Sequence, residues 1–375
     1  MKSNLWRSLD PVLFVVTLML IGYGLALNYT ASLASMAGRS FFEGPVFRQA
    51  LYALVGLVVM AVIAYVDYGI YGNLAIAGYA GVVLALAIVF MIGEATHGSR
   101  RWIDVGFTQI QPSEFTKVAV VIALARYLAS RQGKTKRVAT LLVSLGILAL
   151  PLLLVYRQPD LGTALVLLAI WLGMVMVAGV RILYLAIMGI FSLFALPAVY
   201  NMILHGYMRE RFEIFLNPSS DPLGAGYNVL QSEISVGSGG FWGKGFTNGT
   251  QSQLRFLRIP TTDFIFSVLA EELGFVGAAV LFVLFIILLF RGLRAATLAR
   301  DPFGQLIAVG IVTMFLSQSF INIGVNIRLL PVTGIPLPLI SYGGSSLITM
   351  LAAIGILQSI AARPKKVEYF DEPGL

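Results

Sequence analysis

The stretch Ile259–Arg291, IPTTDFIFSVLAEELGFVGAAVLFVLFIILLFR, decides the fold class. Past Asp263 it stays apolar as far as Phe290, with Glu271 and Glu272 as its only charges. That exceeds the roughly 20 residues a helix needs to cross about 30 Å of hydrocarbon.

Similar runs recur along the chain, and we place spans near 11–31, 47–66, 70–93, 112–130, 138–156, 162–180, 182–205, 264–291, 303–325 and 340–362. A membrane β-barrel would alternate apolar and polar residues, and the runs do not alternate. Only 12% of the 375 residues are charged while 58% are hydrophobic, with a mean hydropathy of +0.86. The expectation is an all-α integral membrane protein, a single polytopic domain over 1–375 with about ten transmembrane helices. The first run is too long for a signal-peptide core and other spans follow it, so it reads as a retained span.

The net charge of +8 would suit nucleic acid, but its distribution argues for a membrane. Lys2 and Arg7, then Arg131, Lys134, Lys136 and Arg137, then Arg181, then Arg291, Arg294 and Arg300, then Arg363, Lys365 and Lys366 all fall on one side of a ten-span chain. The positive-inside rule makes that side cytoplasmic, with both termini and a short tail over 363–375. No cysteine is present, which excludes disulfides and thiolate metal sites. The opposite side carries Arg48, Arg101 and a long extracytoplasmic loop over 206–262 between the seventh and eighth spans, longer than a plain connector. Its glycines, from Gly237 to Gly245, permit close backbone approach or positive φ. SGGFWGKG is no phosphate-binding loop, because Ser238 replaces the first glycine and no Ser or Thr follows Lys244.

Several polar groups lie at membrane depth. Glu114 and Lys117, three apart in QPSEFTK, share a helix face. They read either as an ion pair snorkelling to water or as a substrate-binding pair. Pro112 suits a first turn, with Ser113 or Gln111 as a cap. Arg101 and Arg48, with Lys117, would suit a pyrophosphate, since arginine offers forked donors and lysine a point charge. Asp160 in RQPDLGTA either caps the sixth span or faces Arg157. The prolines and glycines of NIRLLPVTGIPLPLISYGGSSL require protein or a water-filled cavity to receive broken backbone.

Asp263 reads as an N-cap by every local sign. Glu271 lies about 12 Å further along a helix, too far for the roughly 5–9.5 Å carboxylate pair of a glycosidase. A lone surface carboxylate suits proton removal from a hydroxyl that attacks an anomeric carbon bearing a good leaving group, such as a lipid pyrophosphate.

GSRRWIDVGFTQIQPSEFTKVAVVIALARYL, RQPDLGTALVLL, NPSSDPLGAGYNVLQSEISVGSGGFWGKGF, TTDFIFSVLAEELG and LLPVTGIPLPLISYGGSS occur in that order. Through them the chain resembles the SEDS family of bacterial cell-wall proteins, the group of RodA and FtsW, over nearly its whole length. GTQSQLRFL, before the aspartate, is more similar to the elongation branch (RodA) than to the division branch (FtsW). The resemblance implies a peptidoglycan glycosyltransferase that polymerises lipid II in the cytoplasmic membrane beside a class B penicillin-binding protein. It implies Asp263 as general base, and Glu114, Lys117 and Arg101 as residues that hold substrate or pyrophosphate; Arg48, Gln231 and Ser232 complete the expected substrate-binding set. A divalent cation (Mg or Mn) could neutralise the pyrophosphate, but no ligand set is legible. The family often carries an acid before TDF, whereas this chain reads FLRIPTTDF, which leaves an auxiliary acid or metal ligand there unsupported. Two other readings stay open on the residues: a lipid II flippase or transporter built around the broken tenth span, and a non-catalytic activator of a transpeptidase.

Overall fold

The computed structural model describes residues 9–36, 40, 42, 44–92, 94–96, 99–104, 106, 109–202, 206–221, 224–254, 256–257 and 259–365. Lys2, Arg7, Arg39, Glu43, His97, His205, Arg258 and Lys366 lie outside the described residues.

The helices are α1 (Pro11–Met36), α2 (Pro45–Tyr65), α3 (Gly69–Ile92), α4 (Pro112–Ala129), α5 (Val138–Arg157), α6 (Leu161–Val177), α7 (Ile182–Met202), α8 (Tyr207–Leu216), α9 (Ala225–Gly239), the short α10 (Thr250–Gln253), α11 (Ile265–Leu298), α12 (Pro302–Asn326) and α13 (Gly344–Ala361). A helix therefore overlaps each expected span. Among the described residues, seven (α1, α2, α3, α5, α11, α12 and α13) are long and apolar enough to cross a membrane. The count of ten rests on adding α6 and α7, whose apolar stretches are shorter, and α4, which carries Glu114, Lys117 and Arg126.

The bundle is centred on α12 and α13, each with 78% of its span buried against at most 44% for the other five of those seven. They pack on α11, α6, α4 and α2. Outward residues such as Leu54, Ile76 and Phe290 are as apolar as the core, which is what a hydrocarbon surround demands. Between α3 and α4 the described residues form a small antiparallel sheet of β1 (Glu94–Thr96), β2 (Ser99–Asp104) and β3 (Gln109–Ile110), in order β1-β2-β3.

Two departures shape the end of the bundle that carries Asp263. First, 206–262 is not open loop: α8 and α9 cover this end, and α9 lies along α11. Second, α11 is two helices joined at Gly274, which takes φ 63° and ψ −158°, a conformation closed to side chains. Such a break strands carbonyls and N–H groups, each costing about 1–3 kcal/mol if left buried without a partner. The glycine-rich segment 239–249 supplies the missing partners. Lys244 and Gly245 donate N–H bonds of 3.0 and 2.9 Å to the Glu271 and Glu272 carbonyls. The Gly240 and Phe241 carbonyls accept from Phe275 and Val276 at 3.0 and 3.2 Å. A Cβ on Gly243 would lie 2.2 Å from the Glu272 carbonyl oxygen, and one on Gly274 2.3 Å from the Gly243 nitrogen.

The two glutamates complete this joint. Glu271, fully buried, accepts from Lys244 Nζ at 2.6 Å, Thr250 Oγ1 at 2.9 Å and Gln251 N at 3.1 Å. Glu272 accepts from Thr247 N at 3.1 Å.

Candidate active site

Asp263 lies in the turn before α11, but the helix is capped by Phe264 backbone and no side chain caps it. The expected N-cap role of Asp263 is thus corrected. The helix starts at Ile265, so the Asp263 carboxylate does not fold back over the first-turn N–H groups. Its backbone is held instead. Asn326 Nδ2 and Asn322 Nδ2 donate to the Asp263 carbonyl at 2.8 and 3.1 Å. One turn apart on α12, the two asparagines share a face. Asn326 Oδ1 accepts from the Ser267 hydroxyl and N–H at 2.6 and 3.1 Å. Ser232 Oγ, buried, lies 2.6 Å from Ser267 Oγ and donates to the Asn326 carbonyl at 3.0 Å. Ser232, expected to bind substrate, therefore ties α9 to the helices that hold Asp263. Gln231, its neighbour on α9, is half-buried.

The proline-rich segment 327–343 closes the other side of the turn. Ser341 Oγ donates to the Thr262 carbonyl at 2.7 Å and Tyr342 N to the Thr261 carbonyl at 2.9 Å. Its own carbonyls at Ile335, Ile340 and Ser341 accept from Asn322, Asn28 and Gln49 at 2.8, 2.8 and 3.0 Å. The broken backbone anticipated before the last helix is thus received by amide side chains, each contact stabilising by about 1 kcal/mol net and costing about 1–3 if orphaned.

Beside Asp263 opens a cavity of about 140 Å³, lined by Glu210, Arg211 and Ile214 of α8, Asn228 of α9, and Ile259, Asp263, Phe264 and Val332. Arg211 Nη1 donates to the Val332 carbonyl at 2.7 Å, which fixes α8 to the proline-rich segment. Burial raises the Asp263 carboxyl above its ordinary value; Arg211, a hydrogen bond from Thr262 and Arg101 oppose this, and Asp160 adds to it. Burial likewise pulls the Arg211 guanidinium down to about 10, with Asp263 opposing. Charges of both signs thus alternate around the turn.

Arg101 reaches this field from β2. Its Nε donates to the Gln158 carbonyl at 2.8 Å, Nη2 donates to the Pro159 carbonyl, and Nη1 lies 3.7 Å from Asp160 Oδ1. Every nitrogen of that fork is committed to the α5–α6 junction. Asp160 caps α6, accepting from Thr163 N at 3.1 Å and Thr163 Oγ1 at 2.9 Å. It pairs with Arg101 rather than Arg157. No side chain caps α4; the Gln111 N–H bonds Ser345 Oγ, and Gln111 Nε2 and Ser113 Oγ lie 3.5 Å from Asp160 Oδ2.

Lys117 Nζ and Glu114 Oε1 pair at 2.8 Å, with side chains only 1% and 2% exposed. The snorkelling reading is excluded at that burial. Glu114 Oε2 has no partner among the described residues. Arg48 is exposed on α2 and hydrogen-bonds Tyr342. Arg48, Arg101, Glu114 and Lys117 do not line the cavity beside Asp263. Sequence reasoning missed Arg211, Asn228, Asn322 and Asn326; only the asparagine pair, one turn apart near the end of an apolar span, carried a legible signal. Among the described residues no three His, Asp or Glu side chains converge, so they form no all-protein cage for a divalent cation.

Comparison with known proteins follows the same lines. Residues 11–366 match the family model FtsW/RodA/SpoVE, described as cell cycle protein. The chain is 38% identical to the peptidoglycan glycosyltransferase MrdB of Escherichia coli K12, covering 97% of both chains. It is 40% identical to stage V sporulation protein E of Bacillus subtilis, over 94% of this chain and 96% of that one. It is also 40% identical to a probable peptidoglycan glycosyltransferase FtsW of Geobacter sulfurreducens, over 95% and 96%. Among solved structures it resembles a chain of a peptidoglycan synthase complex, studied for its coordination of polymerization and crosslinking, with a TM-score of 0.80 at 31% identity over 94% of this chain and 97% of that one. It resembles the rod shape determining protein RodA of Thermus thermophilus with a TM-score of 0.70 at 28% identity, over 95% and 97%. The chain belongs to the FtsW/RodA/SpoVE family, the SEDS proteins, a family of multi-pass membrane proteins.

Proposed function

We propose that this protein is a peptidoglycan glycosyltransferase that polymerises lipid II at the outer face of the bacterial cytoplasmic membrane, with both termini cytoplasmic and 206–262 outside. The observation that carries this reading is Asp263. Its backbone is locked by Asn322 and Asn326, while its carboxylate is spared from capping and lines a cavity. A general base needs that combination of fixed position and available oxygen.

In the proposed step the acceptor sugar's 4-hydroxyl oxygen bonds to the donor's anomeric carbon. The carbon–oxygen bond to phosphate breaks, its electron pair leaves with undecaprenyl pyrophosphate, and the hydroxyl proton passes to Asp263. Configuration inverts. Arg48 is the basic side chain proposed to meet the pyrophosphate; Lys117, enclosed and paired with Glu114, adds its positive charge from behind, and Arg101, with its nitrogens committed, supports the site through Asp160. A class B penicillin-binding protein is the proposed partner, by analogy with the synthase complex that the chain resembles. Elongation is the proposed branch, on the GTQSQLRFL segment.

The test supplies labelled lipid II to the purified chain with its transpeptidase partner, as wild type and Asp263→Ala. Glycan chains from the wild type alone support the reading. Equal glycan from both removes Asp263 as base, and lipid movement across the bilayer with no glycan from either makes the protein a transporter.

A further inference from the structure

At the end of the bundle away from Asp263, α3, α4 and α5 enclose a cleft of about 300 Å³. The small side chains of Ala75 and Ala123 leave the space, and Tyr79, Tyr127 and Ile147 wall it. Tyr79 Oη donates to the Ile147 carbonyl at 2.7 Å, which joins α3 to α5. Arg126 also lines the cleft, about 20 Å along α4 from Ser113, whose hydroxyl lies 3.5 Å from Asp160. Its Nη1 donates to the Gly72 carbonyl and, at 3.4 Å, to the Asn73 carbonyl, both on α3. The guanidinium plane is thereby set, while among the described residues no partner takes its Nε or Nη2. Those two nitrogens form a side-on fork of the kind that grips two phosphate oxygens. The Arg131 guanidinium lies 5.6 Å from the centre of the Tyr127 ring, which brings a second cation to the same wall. No Asp or Glu occurs between Glu114 and Asp160, whereas Arg126, Arg131, Lys134, Lys136 and Arg137 all do. An apolar slot beside an oriented arginine fork, on a stretch of chain without a competing carboxylate, matches an acyl chain that carries a phosphate.

We propose that this cleft binds an anionic phospholipid, with one acyl chain in the slot and the phosphate on Nε and Nη2 of Arg126. The surrounding cations select a headgroup that carries no ammonium of its own, such as phosphatidylglycerol, over a zwitterionic one. Occupancy braces α3 against α4 and α5 and stabilises that end of the bundle. The proposal goes beyond the glycosyltransferase reading and holds whether or not Asp263 is the base. A polyprenyl phosphate offers the same chain and phosphate, but the proposed reaction releases its lipid product at Asp263, at the other end of the bundle, so the phospholipid is the occupant assigned here.

The experiment titrates the purified full chain, in a neutral detergent, with phosphatidylglycerol or with phosphatidylcholine of the same acyl chains. Native mass spectrometry reads bound lipid and thermal unfolding reads Tm, for wild type, Arg126→Gln, Ala123→Leu and Arg137→Gln. Wild type is expected to bind phosphatidylglycerol about tenfold more tightly than phosphatidylcholine and to gain Tm from the former alone. Loss of a charge-assisted hydrogen bond corresponds to about tenfold, so Arg126→Gln is expected to weaken phosphatidylglycerol by that factor and to remove the gain in Tm. Ala123→Leu, which fills the slot and keeps every charge, is expected to do the same. Arg137→Gln, which removes an exposed cation at the start of α5 outside the cleft, is expected to change the affinity less than threefold. Because Arg126 also ties α4 to α3, an Arg126→Gln chain too unstable to titrate leaves Ala123→Leu to be read on the same scales. Equal binding of the two lipids, or wild-type binding in Arg126→Gln and Ala123→Leu, overturns the site. An equal loss in Arg137→Gln overturns it as well, since the summed charge of the surface then suffices. Displacement of phosphatidylglycerol by equimolar undecaprenyl phosphate assigns the cleft to a polyprenyl phosphate and overturns the phospholipid.

Discussion

At the scale of single residues, burial changes what two of the charges can be asked to do. Lys117 and Glu114 read from sequence either as a pair snorkelling to water or as a substrate-binding pair. With both side chains almost fully enclosed, removing one partner leaves a buried charge, which costs about 3–5 kcal/mol. Lys117→Ala should therefore lower thermal stability in detergent as well as turnover. The double change Lys117→Met with Glu114→Gln should recover most of the stability and none of the turnover, and thermal unfolding with a polymerisation assay reads both. Asp263 is the second case. Its carboxyl is raised by burial, and the base is its ionised form, so activity falls as pH drops through the raised value. The acid limb of kcat/KM should sit above the ordinary carboxylate range, measured between pH 4 and 8 at constant ionic strength. A limb within the range of a free aspartate would contradict that environment.

At the scale of elements, α11 and the glycine-rich segment are the informative pair. The sequence AEELGFVGA reads as unbroken helix, because a glycine inside a helical pattern is ordinarily tolerated at about 1 kcal/mol. The break at Gly274 is a tertiary event: it exists because backbone from 239–249 replaces the helix's own hydrogen bonds. The small-residue run was legible as a place of close approach, although its counterpart proved to be protein backbone. Gly243→Ala should be strongly destabilising, since the added carbon meets a carbonyl at 2.2 Å. Lys244→Ala should cost less, because Glu271, though it loses its counter-charge, keeps the Thr250 hydroxyl and Gln251 N as donors. Ranking the melting temperatures of these two variants checks the account; Lys244→Ala as the worse of the two would refute it.

At the scale of the whole molecule, helix positions were legible because apolar length is set by the bilayer rather than by packing. The site was only partly so. Asp263 stood out as a charge at the mouth of a span, but Arg211 and Asn228 belong to α8 and α9, which meet Asp263 only after the chain has passed over the bundle. Their neighbourhood depends on contacts that no local pattern encodes. Topology itself is testable, and a chain without native cysteine makes the test clean. A cysteine at the exposed Trp242 position should react with an impermeant maleimide in intact cells, and one at exposed Gln132 only after permeabilisation; labelling of both in intact cells would reject the orientation. The joint at Gly274 also bears on how this protein can be recombined with its relatives. Because Gly243 and Gly274 each occupy the space of the other's absent side chain, neither segment is separately exchangeable. The modular boundary in this chain cuts across a helix, and a chimera that imports 239–249 must import 270–276 with it.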